Sequence, residues 1–119
     1  MYKPSLDGAS PNAWSSSLKR LDVHYSSGPA NRMFYFLSQG ASSNSSSNFY
    51  SSYLPGGMTG IGNDKAARIW YKAVSSYMTS STTYAGAKTA CLNAAVALGY
   101  GSGSAEYTAV ANAFQAINR

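Results

Sequence analysis

The sequence predicts an all-α domain, a bundle-like packing of four to five helices, on three observations. Four segments carry apolar residues at helical spacing, the stretches between them are rich in Gly, Ser, Asn and Pro, and no two alternating segments stand ready to pair as strands. At 119 residues the chain reads as a single domain spanning 1–119.

The opening residues, with Pro4 and the Asp7-Gly8 pair, read as an extended arm entering a turn. Ser10-Pro11 then signals a helix start, because Ser accepts a backbone N–H and Pro fits the first turn; a short helix through Trp14 to about Leu18 follows. Leu21 to Tyr25 alternates and reads as extended. A second helix fits Gly28 to about Gln39, with Ala30, Met33, Phe34 and Leu37 on one apolar face and Phe36 on a second side. Apolar around most of its circumference, it should be buried, and Gly40 stops it.

Residues 40–63 read as an irregular surface loop whose Ser/Asn tract is a plain connection. The run Gly56-Gly57-Met58-Thr59-Gly60-Ile61-Gly62 does not qualify as a phosphate cradle: no Gly-Lys-Ser/Thr follows, and no strand with an acid about twenty positions on completes a dinucleotide fingerprint. Asn63-Asp64 opens a third helix running to about Met78, the amide capping free N–H groups and the acid complementing the helix dipole. Ile69, Trp70, Ala73, Val74 and Tyr77 form its inner side, while Lys65, Arg68, Lys72 and Ser76 hold the other. After a polar turn, Thr79 to Thr83, a fourth helix runs from about Tyr84 to Leu98, with Ala87, Ala90/Cys91, Ala94 and Leu98 on one face. Its small residues permit close helix approach, and Gly99 and Gly101 end it. Ser104 starts the fifth helix, with Glu106 in its first turn and Tyr107, Val110, Phe114 and Ile117 inward.

Nine Lys+Arg against four Asp+Glu give a formal net charge of +5, yet only 11% of the chain is charged, so the imbalance reflects scarce acids. The basic residues are dispersed, a solvated face and not a nucleic-acid surface. No run of eighteen apolar residues exists, so no membrane span is expected, and the N-terminus lacks the apolar run of a secretion signal; any such signal would have sat on a longer precursor. The acids are Asp7, Asp22, Asp64 and Glu106, and the one histidine is His24. A zinc hydrolase complete in itself cannot be housed here, and no metal site is expected in this chain. One cysteine, Cys91, excludes an internal disulfide framework, while richness in Ser, Gly and Tyr with few charges fits an extracellular setting.

Asp22-Val23-His24 is the constellation with mechanistic content. In an extended segment residues i and i+2 project to one side, so the carboxylate can approach a ring nitrogen. A paired carboxylate favours the imidazolium and fixes the ring, leaving the other N–H to donate to a developing oxyanion. Spacing leaves a second reading open, in which Asp22 caps local backbone and His24 is a satisfied structural histidine. Ser26 and Ser27 lie near His24, but a serine so close to its base in a Ser-rich chain is no evidence of a hydrolase triad.

The run from Leu21 to Leu37, with Asp22-Val23-His24-Tyr25-Ser26-Ser27-Gly28 and then Asn31-Arg32-Met33-Phe34-Tyr35, strongly resembles a segment of the thermolysin-like zinc metalloendopeptidases, in particular their vibriolysin and pseudolysin branch. The likeness extends through Met1 to Gly8, Gly60 to Ala66, Ile69-Trp70-Tyr71, Tyr77-Met78-Thr79 and Ala113-Phe114, essentially the whole chain. It implies the α-helical C-terminal domain of a secreted endopeptidase, with the N-terminal zinc-binding catalytic domain, its His-Glu-x-x-His helix and its further Glu ligand absent. The family's carbonyl-binding arginine would lie just before Met1. By position, His24 takes the part of the transition-state-stabilising histidine and Asp22 that of the aspartate that orients it. The resemblance further implies no cofactor in this chain, zinc and calcium in the complete enzyme, the N-terminal domain and a protein or peptide substrate as partners, and neither nucleic acid nor membrane. The isolated chain is expected to be inactive.

Asn31 and Tyr25 are cleft-wall candidates, although Asn31 can equally bond local backbone. Cys91 lies near where some relatives place half of a disulfide; the other reading is a free cysteine packed as a small apolar residue. The alternative function is a non-catalytic helical module that holds a peptide or protein on the same scaffold.

Overall fold

The structure is a computed structural model and describes residues 5, 12, 13, 15, 28–79 and 82–119. Four helices carry it, in the order α1 (Gly28–Gln39), α2 (Asn63–Ser76), α3 (Tyr84–Ala97) and α4 (Ala105–Gln115). The predicted all-α bundle is therefore what these residues form. The short helix expected from Ser10 to Leu18 and the extended segment from Leu21 to Tyr25 lie almost wholly outside the described residues. α3 packs between α2 and α4, and α1 packs on α2 and α4. Met33, Phe36, Leu37, Ile69, Phe114 and Ile117 make the centre of the core.

α1 begins and ends where its sequence signals stand. Gly40, at φ 94°, reverses the chain after Gln39 in a conformation that favours glycine. The loop from 40 to 63 is more ordered than expected: β1 (Gly40–Ala41) pairs antiparallel with β2 (Met58–Thr59), Gly40 opposite Thr59 and Ala41 opposite Met58. Two-residue strands are too short to leave an alternating pattern in the sequence. The glycine run serves this close approach. A Cβ on Gly40 would stand 2.6 Å from the Met58 carbonyl oxygen, and one on Gly60 would run into the Ser38 carbonyl. The returning strand then satisfies the end of α1, as Ile61 N–H donates to Leu37 O at 2.8 Å and Gly62 N–H to Ser38 O at 2.9 Å.

α2 departs from expectation at both ends. Its N-cap is Gly62, with no side-chain cap, and Asn63 is the first helical residue; the Asn63 Oδ1 instead accepts from Gln39 Nε2 at 2.8 Å, tying α2 to the end of α1. The buried stripe is Ala66, Ile69 and Ala73, with Trp70 half-buried beside it. Val74 and Tyr77, expected inward, are exposed. Val74 sits about 100° around the helix from Ala73, and Tyr77 falls where the helix has ended, its φ of −126° carrying it out of register.

α3 is capped by Thr83, whose Oγ1 accepts from Gly86 N–H at 3.1 Å, and it buries Ala90, Cys91, Ala94 and Ala95. Leu98, also expected inward, is exposed because the helix stops at Ala97 and Gly99 turns the chain at φ 95°. α4 opens as predicted, with Ser104 Oγ accepting from Tyr107 N–H at 3.1 Å, and buries Val110 and Phe114, while Ile117 just beyond it is buried too. Among the described residues no helix is long and apolar enough to cross a membrane.

Candidate active cleft

His24, Asp22 and Tyr25 lie outside the described residues. The structure describes the element that follows them in sequence, the first turn of α1. That turn is fixed from α3. Ala30 N–H, one of the donors a helix start leaves free, donates to the Tyr84 hydroxyl at 3.2 Å. Burial raises the pKa of the Tyr84 phenol, and the Ala30 N–H opposes that shift, so the group stays a neutral acceptor here.

Asn31 stands one turn into α1 and is exposed. It lines a cleft of about 360 Å³ walled by Phe34, Tyr35, Ser38, Gln39 and Asn63. With Phe34 it also lines a second, of about 320 Å³, whose other walls are Ala30 and Trp70. Ala30 and Trp70 in turn lead into a third hollow of about 210 Å³ toward Met78 and Tyr84. Shared walls make the three one groove along the outer side of α1. Among the described residues it is lined by aromatic rings, amides and hydroxyls, with no charged side chain. Such a surface can hold apolar groups and backbone amides.

Sequence reasoning gave Arg32 no role, and the structure gives it one. It is 4% exposed, its guanidinium donates from Nη2 to Tyr50 O at 2.6 Å, and it lies 4.8 Å over the Phe36 ring. Burial lowers its pKa. Arg32 thus pins the loop at Tyr50 to the inner side of α1, opposite the groove. The signal was present: an arginine four residues before a phenylalanine on a helix otherwise apolar.

Within this chain Cys91 is a free, buried thiol whose pKa burial pushes up to about 12. That is the state of a packed apolar residue, not of a nucleophile. Zinc needs three or four protein ligands; the chain holds one His, one Cys and four acids, and among the described residues no three such side chains gather to hold a metal ion.

Residues 1–118 match the family described as thermolysin metallopeptidase, alpha-helical domain. The chain is similar to a transglutaminase-activating metalloprotease of Streptomyces mobaraensis, 50% identical over 121 residues that cover 99% of this chain and 16% of that protein. It is similar to a thermolysin of Alicyclobacillus acidocaldarius subsp. acidocaldarius, 38% identical over 95 residues, or 80% of this chain and 15% of the relative. A bacillolysin of Bacillus cereus is 37% identical over the same shares. The chain therefore spans a small part of the length of these relatives.

Proposed function

The chain belongs to the family of the thermolysin metallopeptidase alpha-helical domain, and from that premise we propose that it is the C-terminal lobe of a secreted, zinc-dependent endopeptidase. The supporting observation is the family match over residues 1–118, a range that includes Asp22-Val23-His24 ahead of α1 in sequence. In this reading zinc and calcium belong to the preceding lobe, where the metal would act as the Lewis acid of peptide hydrolysis. This chain supplies the imidazolium of His24, which donates a hydrogen bond to the negative charge developing on the scissile carbonyl oxygen. Asp22 holds the ring and favours its protonated form. Tyr25 and Asn31 line the cleft beside it. The vibriolysin and pseudolysin branch rests on the quoted motif; the relatives reported above carry other names.

The test is made in the full-length parent. His24→Ala should lower kcat by about 10²–10³, roughly 3–4 kcal/mol of transition-state stabilisation, with bound zinc unchanged. Asp22→Asn should move the alkaline limb of the kcat profile to lower pH, because the imidazolium loses its counter-charge. Full kcat in His24→Ala would overturn the reading. The chain by itself should show no metal-dependent hydrolysis of casein, and restored proteolysis on mixing with the preceding lobe separates a catalytic half from a non-catalytic peptide-binding module.

A further inference from the structure

We infer that Asn44 is a site of spontaneous modification, where the backbone attacks the side-chain amide and water then converts it to aspartate and isoaspartate. Asparagine is a chemically labile residue, and the reaction needs its amide carbon brought to the backbone nitrogen of the next residue. Asn44, Ser45 and Ser46 are all exposed, in the turn that follows β1. The Asn44 Oδ1 accepts from Ser46 N–H at 3.0 Å. This closes the side chain into a ring that contains the Ser45 nitrogen, so Cγ is kept beside the atom that must attack it. The same hydrogen bond draws electrons from Cγ and makes it a better electrophile. The Asn44 backbone is held as well, its N–H donating to Ser42 Oγ at 3.0 Å and its carbonyl accepting from Ser47 N–H at 2.9 Å. Among the described residues the Ser45 N–H has no hydrogen-bond partner, so nothing need break before it reacts.

The chain has eight asparagines, and no other combines the two features. Asn31, Asn93 and Asn112 stand inside helices, where the next N–H belongs to the helical ladder. After Asn48 the next N–H is taken by Ser47 Oγ at 3.0 Å, and after Asn118 by Phe114 O at 2.8 Å. Asn12 and Asn63 direct their amides elsewhere, accepting from Ser5 N–H at 2.9 Å and from Gln39 Nε2 at 2.8 Å. In the reaction the Ser45 nitrogen bonds to Asn44 Cγ, the Cγ–Nδ2 bond breaks, and ammonia leaves with the proton that Ser45 gives up. Water then adds to either carbonyl of the cyclic imide, and the ring opens to aspartate or isoaspartate. From Met33 to Asn63 the sequence holds no charged side chain, so either product places the first charge in that stretch. Isoaspartate also lengthens the main chain by one methylene, and the turn from Ser42 to Ser47 absorbs it. Beyond Phe49 the loop stays in place, because Arg32 donates to Tyr50 O, the Ser51 hydroxyl to Ala116 O and Gln115 to Tyr53 O.

The experiment incubates the intact protein at mildly alkaline pH and follows each asparagine by peptide mass spectrometry, with isoaspartate read by enzymatic methylation. Asn44 should convert at least about tenfold faster than Asn31, Asn93 or Asn112, each of which must first be freed by local unfolding. In denaturant that lead over Asn93 and Asn112, which are followed by alanine, should shrink; a lead that persists unchanged would place its cause in the sequence alone and overturn the structural argument. Ser45→Pro removes the attacking N–H, which no hydrogen bond uses, and should abolish conversion at Asn44 while leaving urea unfolding unchanged. Ser45→Gly removes the side chain beside the attacking nitrogen and should speed it. Conversion in Ser45→Pro at the native rate would overturn the proposal, and so would a native Asn44 that keeps its amide while another asparagine loses its own.

Discussion

α1 buries Met33, Phe36 and Leu37, whereas α3 buries Ala90, Cys91, Ala94 and Ala95. Both helices run through the interior, and the difference lies in how each fills it. α1 projects long side chains that meet Phe114 and Ile117 in one interlocked centre. α3 has almost no bulk to project, and lets α2 and α4 come close to its backbone on either side. One side of the core is held by volume and the other by the absence of volume. They should therefore fail in opposite ways, the first when atoms are removed and the second when atoms are added.

Phe36→Ala should show the larger effect. It empties a fully buried site and removes the ring under Arg32, and a loss of about 3–5 kcal/mol is expected in urea unfolding. Ala94→Leu tests the other side. Ala94 is fully buried, so the added branch has nowhere to go without moving α2 or α4, and about 1–3 kcal/mol should be lost. The contrast breaks if Phe36→Ala is tolerated while Ala94→Leu unfolds the chain. It sharpens with Ala94→Gly, which adds no volume and should cost only the helix penalty of roughly 1 kcal/mol plus a small contact loss.

Cys91 sits in the α3 half and reports on it. With its thiol pushed up to about 12, it carries negligible thiolate at neutral pH while the fold is closed. Labelling of the unmodified chain should proceed only through opening, so Ala94→Leu should speed it in proportion to the stability lost. Labelling of the native chain as fast as that of a denatured one would contradict the packed thiol.

The same two helices show what the sequence discloses. The span of α1 was legible because Gly28-Pro29 and Gly40 bracket it and large apolar residues fill it. α3 was legible at Tyr84 and at Gly99, and its inner face was legible through Ala90/Cys91 and Ala94, yet Leu98 was assigned inward by counting a turn the helix does not complete. The error at Val74 and Tyr77 has the same origin, since spacing cannot tell which apolar residue lies at the edge of a stripe or past a helix end. Asn63 was assigned as a cap from its residue type, whereas the glycine before it takes the cap position and Gln39 claims the amide. That choice depends on how α1 and β2 meet, a tertiary fact. Of the candidate site, the motif named Asp22, His24, Tyr25 and Asn31; the structure adds where Asn31 stands. The groove beside it joins residues as far apart as Ala30 and Met78, a juxtaposition that no local pattern carries.

The smallest effect belongs to the polar tie that spans α3 on the outside. Lys65 Nζ donates to Glu106 Oε2 at 2.7 Å, linking the first turn of α2 to that of α4, and lies 5.7 Å over the Tyr100 ring. The hydrogen bond from Lys65, then the local backbone N–H, hold the Glu106 carboxyl below its ordinary range, and the bond to Glu106 holds Lys65 above its own. A depressed carboxyl stabilises the fold above its unfolded pKa, and that contribution is lost as pH falls through the folded value. The raised Lys65 contributes below its unfolded pKa and loses this as pH rises through the folded one. Lys65→Met should thus flatten both the acid and the alkaline limbs of stability against pH, with Glu106 keeping the part of its shift that its backbone supplies. The change should be largest at low salt, since solvent screens the pair. At neutral pH it should fall well below that of Ala94→Leu; an equal loss would mean that α2 and α4 are held together across α3 by charge as much as by close packing, and the division between the two sides of the core would no longer stand.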